Sequence, residues 1–218
     1  LSVSTFSQRY PTFVSIRTGV SLPAKDFVGG ISTVENGFAL PGSVSIVEAA
    51  YFYNRHVGVG GLFSFNINPV DKQRYGSQFV INNERFSSVY IDSEPYVNTA
   101  SMFGFYFDLP ITNTYISFTS KLMAGFIWAR NPTINFDFEY SGVASGMAHQ
   151  PSENQSRFAL YYGVGWRIEM SKRLSLKLNM DYTGSRFKFH YINDRKSGSA
   201  EKQVSYMACT VGISYSLY

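Results

Sequence analysis

The chain has 218 residues and a net charge of +4, a length that suits one large all-β domain as well as two small ones. The sequence pI near 9.1 is too mild to argue for nucleic-acid binding, because no dense Lys/Arg patch interleaves with aromatics. Only 16% of the chain is charged while 17% is aromatic, with 16 Tyr and 19 Phe; ordinary soluble domains carry roughly 25% charged residues.

Read at a period of two, which puts alternate side chains on opposite faces, the chain divides into eight predicted strands. The first runs from Thr12 to Leu22, with Val14, Ile16, Thr18, Val20 and Leu22 on one face and Ser15, Arg17, Gly19 and Ser21 on the other. The second, Val44 to Phe52, turns Val47, Ala49 and Tyr51 outward. The third, Val57 to Ile67, sets Val57, Val59, Gly61, Phe63, Phe65 and Ile67 against Gly58, Gly60, Leu62, Ser64 and Asn66. A fourth spans about Pro95 to Phe107, with Val97, Phe103, Phe105 and Phe107 outward. The fifth, Tyr115 to Ala129, presents Ile116, Phe118, Leu122, Ala124, Phe126 and Trp128. The sixth, Arg157 to Glu169, presents Phe158, Leu160, Tyr162, Val164, Trp166 and Ile168. The seventh begins at Leu174 and turns Leu176, Leu178, Met180 and Tyr182 outward; the eighth is Val204 to Leu217.

A mean hydropathy of −0.10 agrees with such alternation, because the average hides both faces. No run of about 18 apolar residues exists, which excludes a transmembrane helix but not a barrel. Each strand comes close to or exceeds the roughly 9–11 residues a tilted strand needs to cross hydrocarbon. The connections Tyr53 to His56, Asp108 to Thr114 and Met170 to Arg173 are short; Pro23 to Ser43, Asn68 to Glu94, Arg130 to Ser156 and roughly His190 to Gln203 are long. Short and long alternate strictly, so an up-and-down meander puts all short turns at one end. The expected fold is therefore all-β: an eight-stranded antiparallel up-and-down transmembrane β-barrel over residues 12–218, with short periplasmic turns and long extracellular loops. Residues 1–11 are expected to form an N-terminal periplasmic segment, and no signal peptide is legible after Leu1, so the chain reads as a mature form.

Aromatic placement follows the same frame. Tyr51, Phe52, Tyr53, Phe105, Phe107, Tyr115, Trp166 and Tyr215 cluster beside the short turns or the C-terminus. Phe65, Trp128, Phe158, Phe187 and Phe189 cluster near the long loops. Two such groups are expected to form the interfacial girdles. Asn135 to Tyr140 also alternates, so the third long loop is expected to extend the fifth strand beyond the membrane and to offer an unpaired edge.

The last strand alternates Val211, Ile213, Tyr215 and Leu217 with Thr210, Gly212, Ser214 and Ser216. With this topology the chain resembles the small eight-stranded outer-membrane barrels of the OmpA/OmpX type and the broader porin-like barrel family. The resemblance implies a place in the bacterial outer membrane. It also implies that Thr210, Gly212, Tyr215 and Leu217 match an assembly signal read by the barrel-insertion machinery, although Tyr218 follows Leu217.

Inward faces carry Arg17, Glu48, Lys121, Arg167, Glu169, Lys177 and Asp181. An eight-stranded barrel is just wide enough for side chains to fill, and unpaired buried charge is very costly, so these residues are expected to form a lumen polar network. Glycines in Gly58-Val59-Gly60-Gly61 and Gly163-Val164-Gly165 lack the spacing and following helix of a phosphate loop; they are expected to make room for long side chains opposite. His56, His149 and His190 share no metal-ligand spacing, and no metal or cofactor is expected. Cys209, the single cysteine, reads as a small apolar residue beside Met207 and Val211.

The functional expectation is a non-enzymatic barrel with a filled lumen, acting through its extracellular loops or as a subunit of a larger outer-membrane complex. Expected partners are outer-membrane lipid, the insertion machinery and other outer-membrane proteins, with no nucleic acid. Alternatives are a narrow pore for small solutes and a rim-located lipid-modifying enzyme, for which His190, near Ser185 and Asp194, is the residue to test.

Overall fold

A computed structural model describes residues 12–24, 27–28, 37–82, 86–112, 114–140, 145–193 and 196–217. Its elements are β1 (Phe13–Pro23), β2 (Gly42–Phe52), β3 (Val57–Asn68), α1 (Lys72–Asn82), β4 (Phe86–Ser93), β5 (Tyr96–Pro110), β6 (Ile116–Asn131), β7 (Ile134–Tyr140), β8 (Ser145–Gln150), β9 (Glu153–Glu169), β10 (Leu174–Asn193) and β11 (Lys196–Ser216). The expected segment 1–11 and the terminal Tyr218 lie outside the described residues.

Eight strands close an antiparallel barrel in the order β1-β11-β10-β9-β6-β5-β3-β2. Closure comes from β1 and β11, which pair from Phe13–Ser216 to Pro23–Tyr206. Alternation sorts the side chains as the period demands. Phe103 is 67% and Phe158 58% exposed, whereas Arg17 and Glu48 are each 1% exposed. This inverts the usual preference for apolar interiors and gives the wall an oily outer surface suited to lipid. Cys209 lies on that outer face, paired with Val20 and Met180.

Two girdle expectations are corrected. Phe52 and Phe187 are 2% and 0% exposed, because both fall on the inward parity of their strands, and they cap the lumen rather than face the interface. Tyr51, Tyr53, Phe105, Phe107, Tyr115, Trp166 and Tyr215 are exposed toward the short-turn end, and Phe65, Trp128 and Phe158 toward the other. The side chain of Phe189 lies outside the described residues.

The long connections hold more structure than loops. The one between β3 and β5 contains α1 and β4, and the one between β6 and β9 contains β7 and β8. Strands β4, β7 and β8 form a separate sheet, with β7 at its centre. The alternating 135–140 stretch is thus no extension of the fifth strand, and both its edges are paired. Pro132 explains the break: it lacks the N–H a ladder needs, and the β6–β9 pairing stops at Asn131–Glu153. The expected loop at 190–203 is instead a ribbon, since β10 and β11 stay paired out to Asn193–Lys196.

The outer sheet buries Ile91, Ile134 and Phe136. Its contact with α1 includes a 2.7 Å Lys72–Asp92 ion pair, and this hydrogen-bonded ammonium holds the Asp92 carboxyl below its ordinary 3.8. Tyr75 of α1 joins the sheet to the barrel. Its ring stacks on Phe38 at 4.6 Å and meets Phe136 edge-on at 5.8 Å.

Candidate functional site

The lumen is built from the inward half of every barrel strand. Glu48 is its hub. Its carboxylate accepts from Lys177 Nζ at 2.8 Å, Lys121 Nζ at 2.9 Å, Arg17 Nη2 at 2.9 Å, Ser15 Oγ at 3.0 Å and Tyr106 Oη at 3.4 Å. Asp181 is the second anion, 2.7 Å from Arg17 Nη1 and 3.2 Å from Lys121 Nζ. Arg17 Nη1 also donates to Thr210 Oγ1 at 2.6 Å. Lys177 places its ammonium 3.1 Å above the Phe13 ring, a contact in which the ring quadrupole attracts the cation. Hydrogen bonding of this density is what lets charges sit away from water.

Register puts these groups at one level. Gly163 is the cross-strand partner of both Lys121 on β6 and Asp181 on β10. A Cβ at Gly163 would collide with Asp181 Oδ1 and lie 2.8 Å from Lys121 Cε. The missing side chain is the space in which this ion pair forms. Gly212 likewise lies between Arg17 on β1 and Lys177 on β10.

The seven charged residues expected to form one lumen network divide into two groups in the fold. Arg17, Glu48, Lys121, Lys177 and Asp181 form the central cluster. Arg167 lies nearer the periplasmic mouth, 3.1 Å from Asp108 and 3.4 Å from Glu169, whose side chain is 47% exposed. Glu169 is therefore a rim residue. Asp108, read from sequence as part of a turn, is a buried lumen residue 2% exposed. The inward alternation of β5, through Tyr106, continues one step further to reach it. Arg17, Lys121, Arg167 and Lys177 now face Glu48, Asp108, Glu169 and Asp181, so the formal charges balance.

Beside Glu48, Tyr106 and Lys177, the mouth holds a cavity of about 10 Å³, room for about one water. Above the charges, Asn66 and Asn98 face each other across β3 and β5. The outer end is closed by Phe27, Phe38, Ala39, Val70 and Tyr96, all buried. Phe38 adopts φ 49°, a strained value for a bulky residue, and its ring is 1% exposed against Tyr75.

The histidines are dispersed. His56 Nδ1 lies 3.0 Å from the Asp108 carbonyl in the β3 turn, and His149 Nδ1 lies 2.7 Å from Asn135 Oδ1 in the outer sheet. The side chain of His190 and all of Asp194 lie outside the described residues; Ser185 Oγ donates to the Phe158 carbonyl at 2.7 Å. Among the described residues no group of three His, Cys, Asp or Glu is placed to hold a metal.

The sequence profile of the outer membrane protein β-barrel domain matches residues 1–216. The chain belongs to the outer membrane protein β-barrel family. It resides in the bacterial outer membrane, so the oily wall faces lipid. No curated protein matches the sequence. Among solved structures, Neisserial surface protein A is similar with 10% identity and a TM-score of 0.50, over 95% of this chain and 97% of that one. The attachment invasion locus protein Ail of Yersinia pestis is similar with 15% identity and a TM-score of 0.47, over 94% and 96%. The N-terminal barrel domain of Pseudomonas aeruginosa OprF has 12% identity and a TM-score of 0.40, over 94% and 97%.

Within this outer-membrane barrel the C-terminal strand has two faces. Val211, Ile213, Tyr215 and Leu217 point to lipid, and the Tyr215 hydroxyl accepts from Arg173 Nη1 at 3.0 Å beside the last short turn. Thr210 and Gly212 point inward, where one bonds Arg17 and the other makes room for it.

Proposed function

We propose that this outer-membrane barrel is a non-catalytic structural or interaction protein. Its lumen is closed to solutes, and it works through its extracellular elements or as a subunit of a larger complex. The observation that carries this reading is the double closure of the lumen. The Glu48-centred network fills its periplasmic half, and the plug around Phe27, Phe38 and Tyr96 fills its outer end. Beyond the plug stands the β4-β7-β8 sheet, where Tyr90 and Met147 are 68% and 90% exposed. In the same reading Thr210, Gly212, Tyr215 and Leu217 serve the insertion machinery during assembly.

Planar-bilayer recording of the purified barrel tests the closure. The expected result is a flat baseline at moderate voltage. Steady single-channel steps would replace this reading with that of a narrow pore.

A further inference from the structure

The outer sheet has two edge strands, and they are built differently. In the order β4-β7-β8, β4 and β8 each pair on one side only. The β4 edge is guarded. Its ladder with β7 shifts register between Phe86 and Ser88, and α1 packs so close that a Cβ at Gly76 would lie 2.9 Å from the Val89 carbonyl oxygen. Bulges and covering helices are common defences of a sheet edge. The β8 edge has neither. Its sequence Ser145-Gly146-Met147-Ala148-His149-Gln150 also holds no Lys, Arg or Pro. Its pairing with β7 is regular from Ile134–Gln150 to Glu139–Ser145, and its far side pairs with no strand among the described residues.

In an antiparallel ladder every second residue turns its N–H and C=O away from the paired neighbour. Those of β8 therefore point out of the sheet edge, where an added strand would take them up. The two faces of the edge set which side chains that strand would carry. On the inner face Phe136 pairs with Ala148 and Phe138 with Gly146. The two rings stack at 5.9 Å. Ala148 is nevertheless exposed and Phe138 only half-buried, because β8 offers no bulky side chain to continue the core. Apolar residues on an added strand would extend it through cross-strand contacts.

The outer face is acidic. Asn135, Asp137 and Glu139 of β7 lie between Asp92, Tyr90 and Ser88 of β4 and His149, Met147 and Ser145 of β8. Asp92 is matched by Lys72. Glu139 accepts only a hydroxyl, from Ser88 Oγ at 2.6 Å, and neither it nor Asp137 has a cationic partner among the described residues. Met147, 90% exposed, stands between these carboxylates and the free edge. A Lys or Arg opposite Met147 on an added strand would lay its stem over the thioether. Its charge would then reach Asp137, two strand spacings or about 10 Å away.

We propose that β8 is a docking edge: it takes an extended segment of another protein, alternating apolar and basic residues, as one more strand of the outer sheet. This rests on the reading of the chain as an interaction protein acting through its extracellular elements, and it adds the element and the chemistry of the partner. A second copy of β8 fits the edge less well, since it brings no Lys or Arg to Asp137 and Glu139.

The test uses the full chain in phosphatidylcholine nanodiscs, a short synthetic peptide alternating valine and lysine as probe, and amide exchange as readout. Amides of residues 146–150 should slow as peptide is added, while those of the short turns keep their rates. A peptide alternating valine and glutamate should protect nothing. Met147→Lys sets a like charge beside the incoming lysines and should raise the peptide concentration for half protection about tenfold. Asp137→Asn removes one exposed ion pair and should raise it about threefold. Arg55→Gln, in the turn at the opposite end, should leave it unchanged. No protection of β8, protection undiminished in Met147→Lys, or equal protection by the acidic peptide overturns the proposal. Protection that grows with barrel concentration in the absence of peptide also overturns it, in favour of a second copy. A flat bilayer baseline beside any of these leaves the closed interaction barrel standing, whereas single-channel steps sink that reading whether or not the peptide binds.

Discussion

Arg17 and Gly212 are cross-strand partners on the inner wall, and the arginine stem occupies the place where a side chain at 212 would begin. A Cβ there would lie 2.5 Å from Arg17 Cγ and overlap the carbonyl oxygen of Ile16. The pair ties the closing strand to the charged lumen.

Gly212→Ala must push β1 away from β11, because the clash includes backbone. We expect a loss of about 3 kcal/mol, the upper end of overpacking costs. A lowered urea midpoint of the barrel folded into vesicles would report it. Gly163→Ala, outside the assembly motif, should also destabilise, so a defect confined to Gly212 would implicate insertion instead. An unchanged midpoint for both variants contradicts the close packing described.

Removing the hub charge should cost more than removing one of its neutral donors. Glu48→Gln leaves Arg17, Lys121 and Lys177 with Asp181 as their remaining central anion. Breaking a buried pair from one side costs roughly 3–5 kcal/mol, while Ser15→Ala removes one hydrogen bond, worth about 1 kcal/mol. The same unfolding assay ranks the two, and a reversed order would show that Glu48 is not the hub.

Depth on the outer wall should be readable by substitution. Leu122 is 58% exposed and paired with Tyr162 midway between the Trp166 and Phe158 levels. Leu122→Arg is expected to destabilise by about 2–4 kcal/mol, whereas Leu174→Arg, at the periplasmic rim, should cost about 0–1 kcal/mol. Equal costs at the two positions would remove the assignment of the band.

Tyr75 is the joint between the lumen plug and the outer sheet. In Tyr75→Ala, amide exchange in β4, β7 and β8 should accelerate, because their small core of Ile91, Ile134 and Phe136 loses its tie to the barrel. The barrel itself should lose only about 1 kcal/mol, the central value for point substitutions, because Tyr75 packs on the plug at Phe38 and not among the lumen charges. Unaltered exchange in the sheet would mean that it stands alone.

The barrel was legible because each wall strand has two solvents, lipid outside and packed side chains inside, and alternation records that split directly. Starts of the strands at Leu174 and Val57 were read from sequence for this reason. The same logic failed where its premise ended. Phe52 and Phe187 are aromatic, so they looked interfacial, yet parity turns both inward. Asp108 was placed in the connection after Phe107, although β5 keeps its alternation to that point. Above the membrane both faces of β7 meet other protein or water, and pairing with β4 and β8 depends on contacts distant in sequence. Which charges meet was likewise invisible, since Arg17 and Asp181 are brought together by the register of strands that close the ring.

That register carries a further consequence. A slip of one residue between neighbouring strands exposes the polar face to lipid and is rejected at once. A slip of two restores the alternation, so the oily wall is blind to it. The lumen is not. Two residues are about 6.6 Å along a strand, enough to carry Asp181 away from Arg17 and Lys121, whose nitrogens it meets at 2.7 and 3.2 Å. Buried charge therefore acts as the key that distinguishes the correct even register from its neighbours. The key is complete only once Thr210 and Gly212, on the last strand to be made, have slid into place beside Arg17.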